Sequence, residues 1–129
     1  MNTRLIMTAC AIIMGAIGLF LTFAPDVAVL SLDIESNKAA IFMMQILGAF
    51  YFAFAMLNWM NKKSPIGGIY NRPVAVANFT HFLIAGLALA KGIISDAQLP
   101  VTIWIIAAVY IVFGILFGLI LFRQPKENN

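Results

Sequence analysis

Val101–Phe122 reads VTIWIIAAVYIVFGILFGLILF, an apolar run without a single charged side chain. As a helix rising about 1.5 Å per residue it would be about 33 Å long, which matches a bilayer hydrocarbon core of about 30 Å. Three further runs have the same character: Leu5–Phe23, Ala39–Met60 and Val74–Ile94. Only the third holds a charge, Lys91, close enough to its end for the ammonium to snorkel to the interface. Helix is the state expected for all four, because a span must bond its own backbone groups internally. A closed barrel would need about eight strands.

The rest of the composition agrees. The chain has 129 residues, of which 63% are hydrophobic and 10% charged, and its mean hydropathy is +0.98. A soluble domain is about a quarter charged, and one this small has too little interior to hide so much apolar surface. The expected fold is all-α: a single transmembrane domain over residues 1–129, built as an antiparallel four-helix bundle. The net charge of +3 comes from basic residues at the ends of the apolar runs, not from a basic stripe interleaved with aromatics, so nucleic acid is not an expected partner. The one cysteine, Cys10, excludes an internal disulfide and a Cys-x-x-Cys redox pair.

The first run opens like a signal peptide, with Arg4 before an apolar stretch. It is as long as a full span, however, and Pro25 would follow a cleavage at Ala24, so it is expected to be retained. Met7-Thr8-Ala9-Cys10 resembles a lipoprotein box, but too few residues precede it.

The connections are short. Residues 24–38 are acidic, and Val27, Val29, Leu30, Leu32 and Ile34 are expected to lie as a short interfacial helix. Residues 61–73 carry Lys62, Lys63 and Arg72 with a Gly67-Gly68 turn that lets Ile66, Ile69 and Tyr70 dip into the interface, and residues 95–100 form a tight turn. With both termini in the cytoplasm, that side holds Arg4, Lys62, Lys63, Arg72, Arg123 and Lys126, against Lys38 and Lys91 opposite. This asymmetry predicts the orientation and a multi-pass location in a bacterial inner membrane. Asp26, Asp33, Glu35 and Asp96 fall outside and Glu127 inside, but acids contribute little to the rule.

Helices in lipid meet through small residues and occasional polar ones. Thr8, Ala11, Gly15, Gly18 and Thr22 form such a stripe on the first span. Gly48 and Ala55 do so on the second, flanked by Gln45, Tyr51 and Asn58. The third offers Asn78, His81, Ala85, Ala88 and Gly92, and the fourth Ala107, Tyr110, Gly114 and Gly118. Val76, Leu83, Leu87 and Ile94 lie across the third span from His81, and Thr80 falls with them. Cys10 points away from its stripe and is expected to face lipid as a small hydrophobe.

Polar residues inside a membrane are costly and so are site candidates. Asn58, Asn78 and His81, with Tyr51, Tyr110 and Gln45, are the candidate ligand-binding residues. Two readings stay open for them: a pocket on the cytoplasmic side, or an interhelical hydrogen-bond set that only fixes packing. His81 is expected to be neutral, with Asn78, Asn58 or a water as its partner. Lys62, Lys63 and Arg72 are candidates for lipid headgroups, or set topology only. No metal or other cofactor is expected, because the spans offer one His and no carboxylate. No catalytic residues are expected either, since no Ser lies near a His–acid pair and Gly67-Gly68 lacks a phosphate-loop ending.

The stretch Gln45–Phe82, QILGAFYFAFAMLNWMNKKSPIGGIYNRPVAVANFTHF, resembles a group of small uncharacterised bacterial membrane proteins. These share a four-span layout, an Asn-Trp-Met end to the second helix, a Gly-Gly-Ile-Tyr-x-Arg-Pro-Val connection, and an Asn and a His early in the third helix. More distantly, the size and topology are similar to the DoxX-like membrane proteins, some linked to quinone-coupled redox enzymes. The resemblance implies no activity and no catalytic residues, but it draws attention to Asn58, Arg72, Asn78 and His81.

The expected function is therefore non-enzymatic: binding a small apolar or amphipathic ligand, or a membrane-protein partner, at a cytoplasmic-side polar pocket. The alternatives are a quinone- or lipid-linked accessory subunit of a membrane redox enzyme and a small oligomeric transporter. Membrane lipid is an expected partner in every case, and a homo-oligomer is compatible with all of them. A quinone site would call for an aromatic-lined opening to lipid beside His81.

Overall fold

Asparagine side chains start two of the helices. In the computed structural model, which describes residues 2–63 and 72–122, Asn2 accepts from the Leu5 amide at 3.2 Å at the head of α1, Thr3–Phe23. Asn37 accepts from the Ala40 amide at 2.9 Å at the head of α3, Lys38–Asn61. Both satisfy an amide that the first turn leaves without an internal partner. Between them, Pro25 opens the short α2, Pro25–Ser31, at the position where its missing N–H costs nothing. The remaining helices are α4, Arg72–Ser95, and α5, Val101–Phe122. They are joined by a turn in which the Asp96 carboxylate accepts from the Gln98 amide at 2.9 Å.

Among the described residues all regular structure is helical, and α1, α3, α4 and α5 are each long and apolar enough to cross a membrane. Three of these helices extend one or two residues beyond the apolar runs, because capping and polar residues continue the backbone geometry where hydropathy already falls. Gly67-Gly68, Ile66, Ile69, Tyr70, Arg123, Lys126 and Glu127 lie outside the described residues.

The α2 segment differs from the expected interfacial strip. It ends at Ser31, and its docked face is Pro25, Ala28 and Val29, which packs against α3, while Val27, Leu30 and Ile34 stay exposed.

The helices pack as two close pairs, α1 on α3 and α4 on α5, which touch each other only locally. Glycine decides the first pair. A Cβ on Gly18 would lie 2.8 Å from the Phe52 amide nitrogen and 2.9 Å from the Gly48 carbonyl oxygen. One on Gly48 would lie 2.9 Å from the Gly18 carbonyl oxygen. The two backbones are in contact there, and no other residue type fits without moving a helix. Gly15 opposes Ala55 one turn further on. The α4/α5 pair is looser, with Gly114 3.8 Å and Gly86 3.7 Å from their neighbours by the same measure.

Long side chains bridge the two pairs. Met7, Met14 and Cys10 of α1 join Phe82, Phe113 and Phe117 in a single apolar cluster. Phe82 stacks on Phe113 at 5.1 Å and on Phe117 at 5.9 Å between ring centres. Cys10 is therefore not lipid-facing: it is fully buried. A helix with neighbours on two sides buries two stripes. The small one on α1 meets α3, and the Met7–Cys10–Met14 line meets the other pair.

The α4 face is also rotated from the expected one. Its buried line runs Ala75, Asn78, Phe82 and Gly86, whereas Ala88 is exposed and His81 half-buried. Phe82 takes the central position because a ring, not a methyl, spans the wider gap between the pairs. Leu83 and Leu87 point outward as expected, as do Val76 and Ile94. The outer surface is crowded with large apolar side chains such as Ile12, Phe42, Phe50, Ile105 and Leu119, which water would not tolerate at this density and acyl chains would.

Candidate functional site

Tyr51 and Asn58 are two helical turns apart on α3 and so share its buried face. Opposite them stand Asn78 on α4 and Tyr110 on α5, all four of them buried. The two asparagines bind each other reciprocally: Asn58 Nδ2 donates to Asn78 Oδ1 at 2.8 Å, and Asn78 Nδ2 donates to Asn58 Oδ1 at 3.0 Å. Each Nδ2 gives its second hydrogen to a carbonyl one turn back on its own helix, Phe54 at 2.9 Å and Val74 at 2.8 Å. Both amides thereby use all their donors. Cys10 Sγ completes the cluster, 3.7 Å from Asn58 Nδ2 and 3.9 Å from Asn78 Oδ1.

With their donors spent, neither amide can donate to His81. Its expected partners Asn58 and Asn78 are occupied by each other, and its Nε2 lies instead 3.2 Å from the Tyr110 hydroxyl, which is also bonded to the Tyr51 hydroxyl. The imidazole stacks on Phe54 at 5.0 Å and meets the edges of Phe82 and Tyr51. The polar interior thus has two parts: a closed amide pair, and a Tyr51–Tyr110–His81 chain inside an aromatic shell. Gln45 belongs to neither. Its Nε2 reaches the Thr22 carbonyl at 3.5 Å, several turns away at the α1/α3 contact.

A groove of about 920 Å³ lies between α4 and α5, and neither Asn58 nor Asn78 lines it. Leu83 and Leu87 form one wall, Ile111, Ile115 and Leu119 the other, and Gly86, Gly114 and Gly118 the base. The absence of side chains at these glycines makes its depth. Phe79, Phe82, Phe122 and Tyr110 supply aromatic lining. Tyr110 is thus shared: it lines the groove and its hydroxyl holds His81 behind it. Sequence reading missed the groove. Its only signal was the Gly114-x-x-x-Gly118 spacing, which also describes a tight helix contact.

At the end of the molecule where α1 and α4 begin, Lys62 Nζ sits 2.7 Å from the centre of the Trp59 ring. Partial desolvation, and then the charges of Arg4 and Lys63, push the Lys62 ammonium below its usual pKa. Lys63 and Arg72 are exposed. Among the described residues no group of three or more His, Cys, Asp or Glu side chains is placed to hold a metal ion.

No family model, curated protein or solved structure matches this chain.

Proposed function

We propose that this chain is a non-enzymatic, multi-pass protein of a bacterial inner membrane that seats an apolar or amphipathic ligand in the α4/α5 groove. In this reading the four long helices form an antiparallel bundle with both termini in the cytoplasm, as the distribution of lysine and arginine favours. The observation that carries the reading is the groove itself: about 920 Å³, apolar almost throughout, and open on the lipid-facing side. A cavity of that size is in the range of small-ligand sites, and its apolar walls along two helices suit a hydrocarbon chain better than a compact polar molecule. The polar cluster, for which a pocket and a packing set are both open in the sequence, takes in this reading the role of a clamp between helix pairs.

One observation favours a second reading. Tyr110 connects an aromatic-lined, lipid-facing opening to His81. That is the arrangement a quinone-linked accessory subunit would use, with the isoprenoid tail in the groove and the ring near Tyr110.

The first reading is tested with a photoactivatable fatty-acyl probe on the protein in nanodiscs. Labelling should concentrate on Leu83, Leu87, Ile111 and Ile115. Labelling spread evenly over these and the equally exposed Ile12, Phe42 and Phe50 would count against a site. A ubiquinone-type competitor that clears the groove while a fatty acid does not would favour the second reading.

A further inference from the structure

Arg72 and the groove lie on one face of α4. Phe79 follows Arg72 by two turns and Ala90 follows it by five, so all three fall in one narrow sector of the helix. Side chains on a helix lean toward its N-terminus, which carries the Arg72 guanidinium beyond the groove toward the interface. Phe79 and Phe122, edge to face at 5.7 Å, mark the groove's end nearest to it. From Phe79 to Ala90 the groove runs about 16 Å along α4, roughly half of a hydrocarbon core of about 30 Å. Its near end, at Phe79, lies about 10 Å along α4 from Arg72, and from there it runs past the middle of the span.

The charges are sorted in the same sense. Arg4, Lys62, Lys63 and Arg72 occupy this end of the helices, while the four described carboxylates, Asp26, Asp33, Glu35 and Asp96, occupy the other together with Lys38 and Lys91. A cation in the first turn of α4 also opposes the helix macrodipole, so an anion there gains from both the guanidinium and the helix terminus.

We propose that the groove holds one acyl chain of an anionic phospholipid whose phosphate is bound by Arg72. The assignment rests on the groove being a chain-binding site, as argued above. A guanidinium presents two parallel N–H groups to phosphate oxygens, a geometry that a lysine cannot match. The groove supplies the apolar part of the recognition, so a headgroup alone is not the ligand. Arg4 on α1 and Lys62 and Lys63 just after α3 add a general attraction, but they are not on the groove's helices.

The test is native mass spectrometry of the full chain in detergent, titrated with phosphatidylglycerol and with phosphatidylcholine of the same acyl chains. The wild type should bind phosphatidylglycerol about fivefold more tightly, the effect of one basic residue near a membrane surface. Arg72→Gln should erase that preference by weakening phosphatidylglycerol more than phosphatidylcholine, whose phosphate is offset by its own ammonium, whereas K62Q/K63Q should keep most of it. L83W/I115W, placed on exposed walls so that the helices still pack, should weaken both lipids alike. Equal binding of the two lipids by the wild type, with both still weakened by L83W/I115W, overturns the anionic assignment and leaves the chain site standing. Lipid binding indifferent to L83W/I115W overturns both. A preference lost in K62Q/K63Q but kept in Arg72→Gln overturns the role of Arg72. Competition by glycerophosphate alone would make a free phosphate ester the ligand and overturn the lipid. A dimer that carries no lipid and dissociates in L83W/I115W would put a second copy of the chain in the groove instead.

Discussion

Asn58 and Asn78 are joined by two amide hydrogen bonds in opposite senses, across two helices, α3 and α4, that touch only locally. Side chains here do what glycine does between α1 and α3: they hold two helices in register. Truncating one partner strands the other's donor and acceptor in an apolar interior. Asn58→Leu and Asn78→Leu should each destabilise the protein by about 1–3 kcal/mol. The double variant N58L/N78L should recover part of that loss. Unfolding in mixed micelles, monitored by circular dichroism and analysed as a double-mutant cycle, reads the coupling. Strict additivity would mean that the pair holds nothing.

The two helix pairs should respond differently to the same change at glycine. Gly18→Ala and Gly48→Ala place a methyl against backbone atoms at 2.8–2.9 Å, and neither helix can yield except by moving away. Each should cost a few kcal/mol, in the range for overpacking a filled interface. Gly114→Ala and Gly86→Ala meet their nearest atoms at 3.8 and 3.7 Å and should be close to neutral. Midpoints of thermal unfolding for the four variants decide this. Equal losses in both pairs would contradict the difference in helix separation.

Much of this architecture is legible in the linear chain, and the reasons are specific. The spans are marked by hydropathy, because the bilayer demands an apolar length and excludes most charges. The α1/α3 seam is marked by Gly15, Gly18, Gly48 and Ala55, because only small residues permit backbone contact. Burial on a second face is not marked in that way. Cys10 looks like a lipid-facing residue, since a side chain suited to acyl chains also suits an apolar protein interior. The α4 face was displaced for a related reason. Small size reads as the sign of an interface, but between widely spaced helices Phe82 fills the gap. The groove lies at the limit of what spacing conveys: Gly114 and Gly118 can form a seam or a trough, and only the separation of α4 from α5 decides.

Orientation has its own test. Reporter fusions after Asn129 and within the Asp33–Asn37 segment should give opposite responses, with the C-terminal fusion active only in the cytoplasm. Periplasmic activity at Asn129 would reverse the orientation and move Arg72 and its lipid to the outer leaflet. The groove and the amide pair would be unaffected, since neither depends on which side faces the cell.

Tyr110 joins the groove to the polar chain, and one substitution separates its two roles. Tyr110→Phe keeps the ring that lines the groove and removes the hydroxyl that holds both Tyr51 and His81. The loss should lower stability by about 1 kcal/mol, since the Tyr51 hydroxyl and the imidazole nitrogen each lose a partner in an apolar interior. His81→Gln should cost less, because an amide can still reach the Tyr110 hydroxyl and the imidazole is only half-buried. If the groove binds a hydrocarbon chain alone, lipid retention by Tyr110→Phe and His81→Gln should equal that of the wild type, because neither change alters an apolar wall. Retention should fall instead in L83W/I115W. If the ligand carries a ring that hydrogen-bonds to Tyr110, as a quinone would, Tyr110→Phe should weaken that ligand by about fivefold to tenfold while phospholipid binding stays the same. Measuring both ligands on the same three variants separates a lipid-chain site from a quinone site, and a loss of both ligands in Tyr110→Phe would mean that the hydroxyl shapes the groove itself.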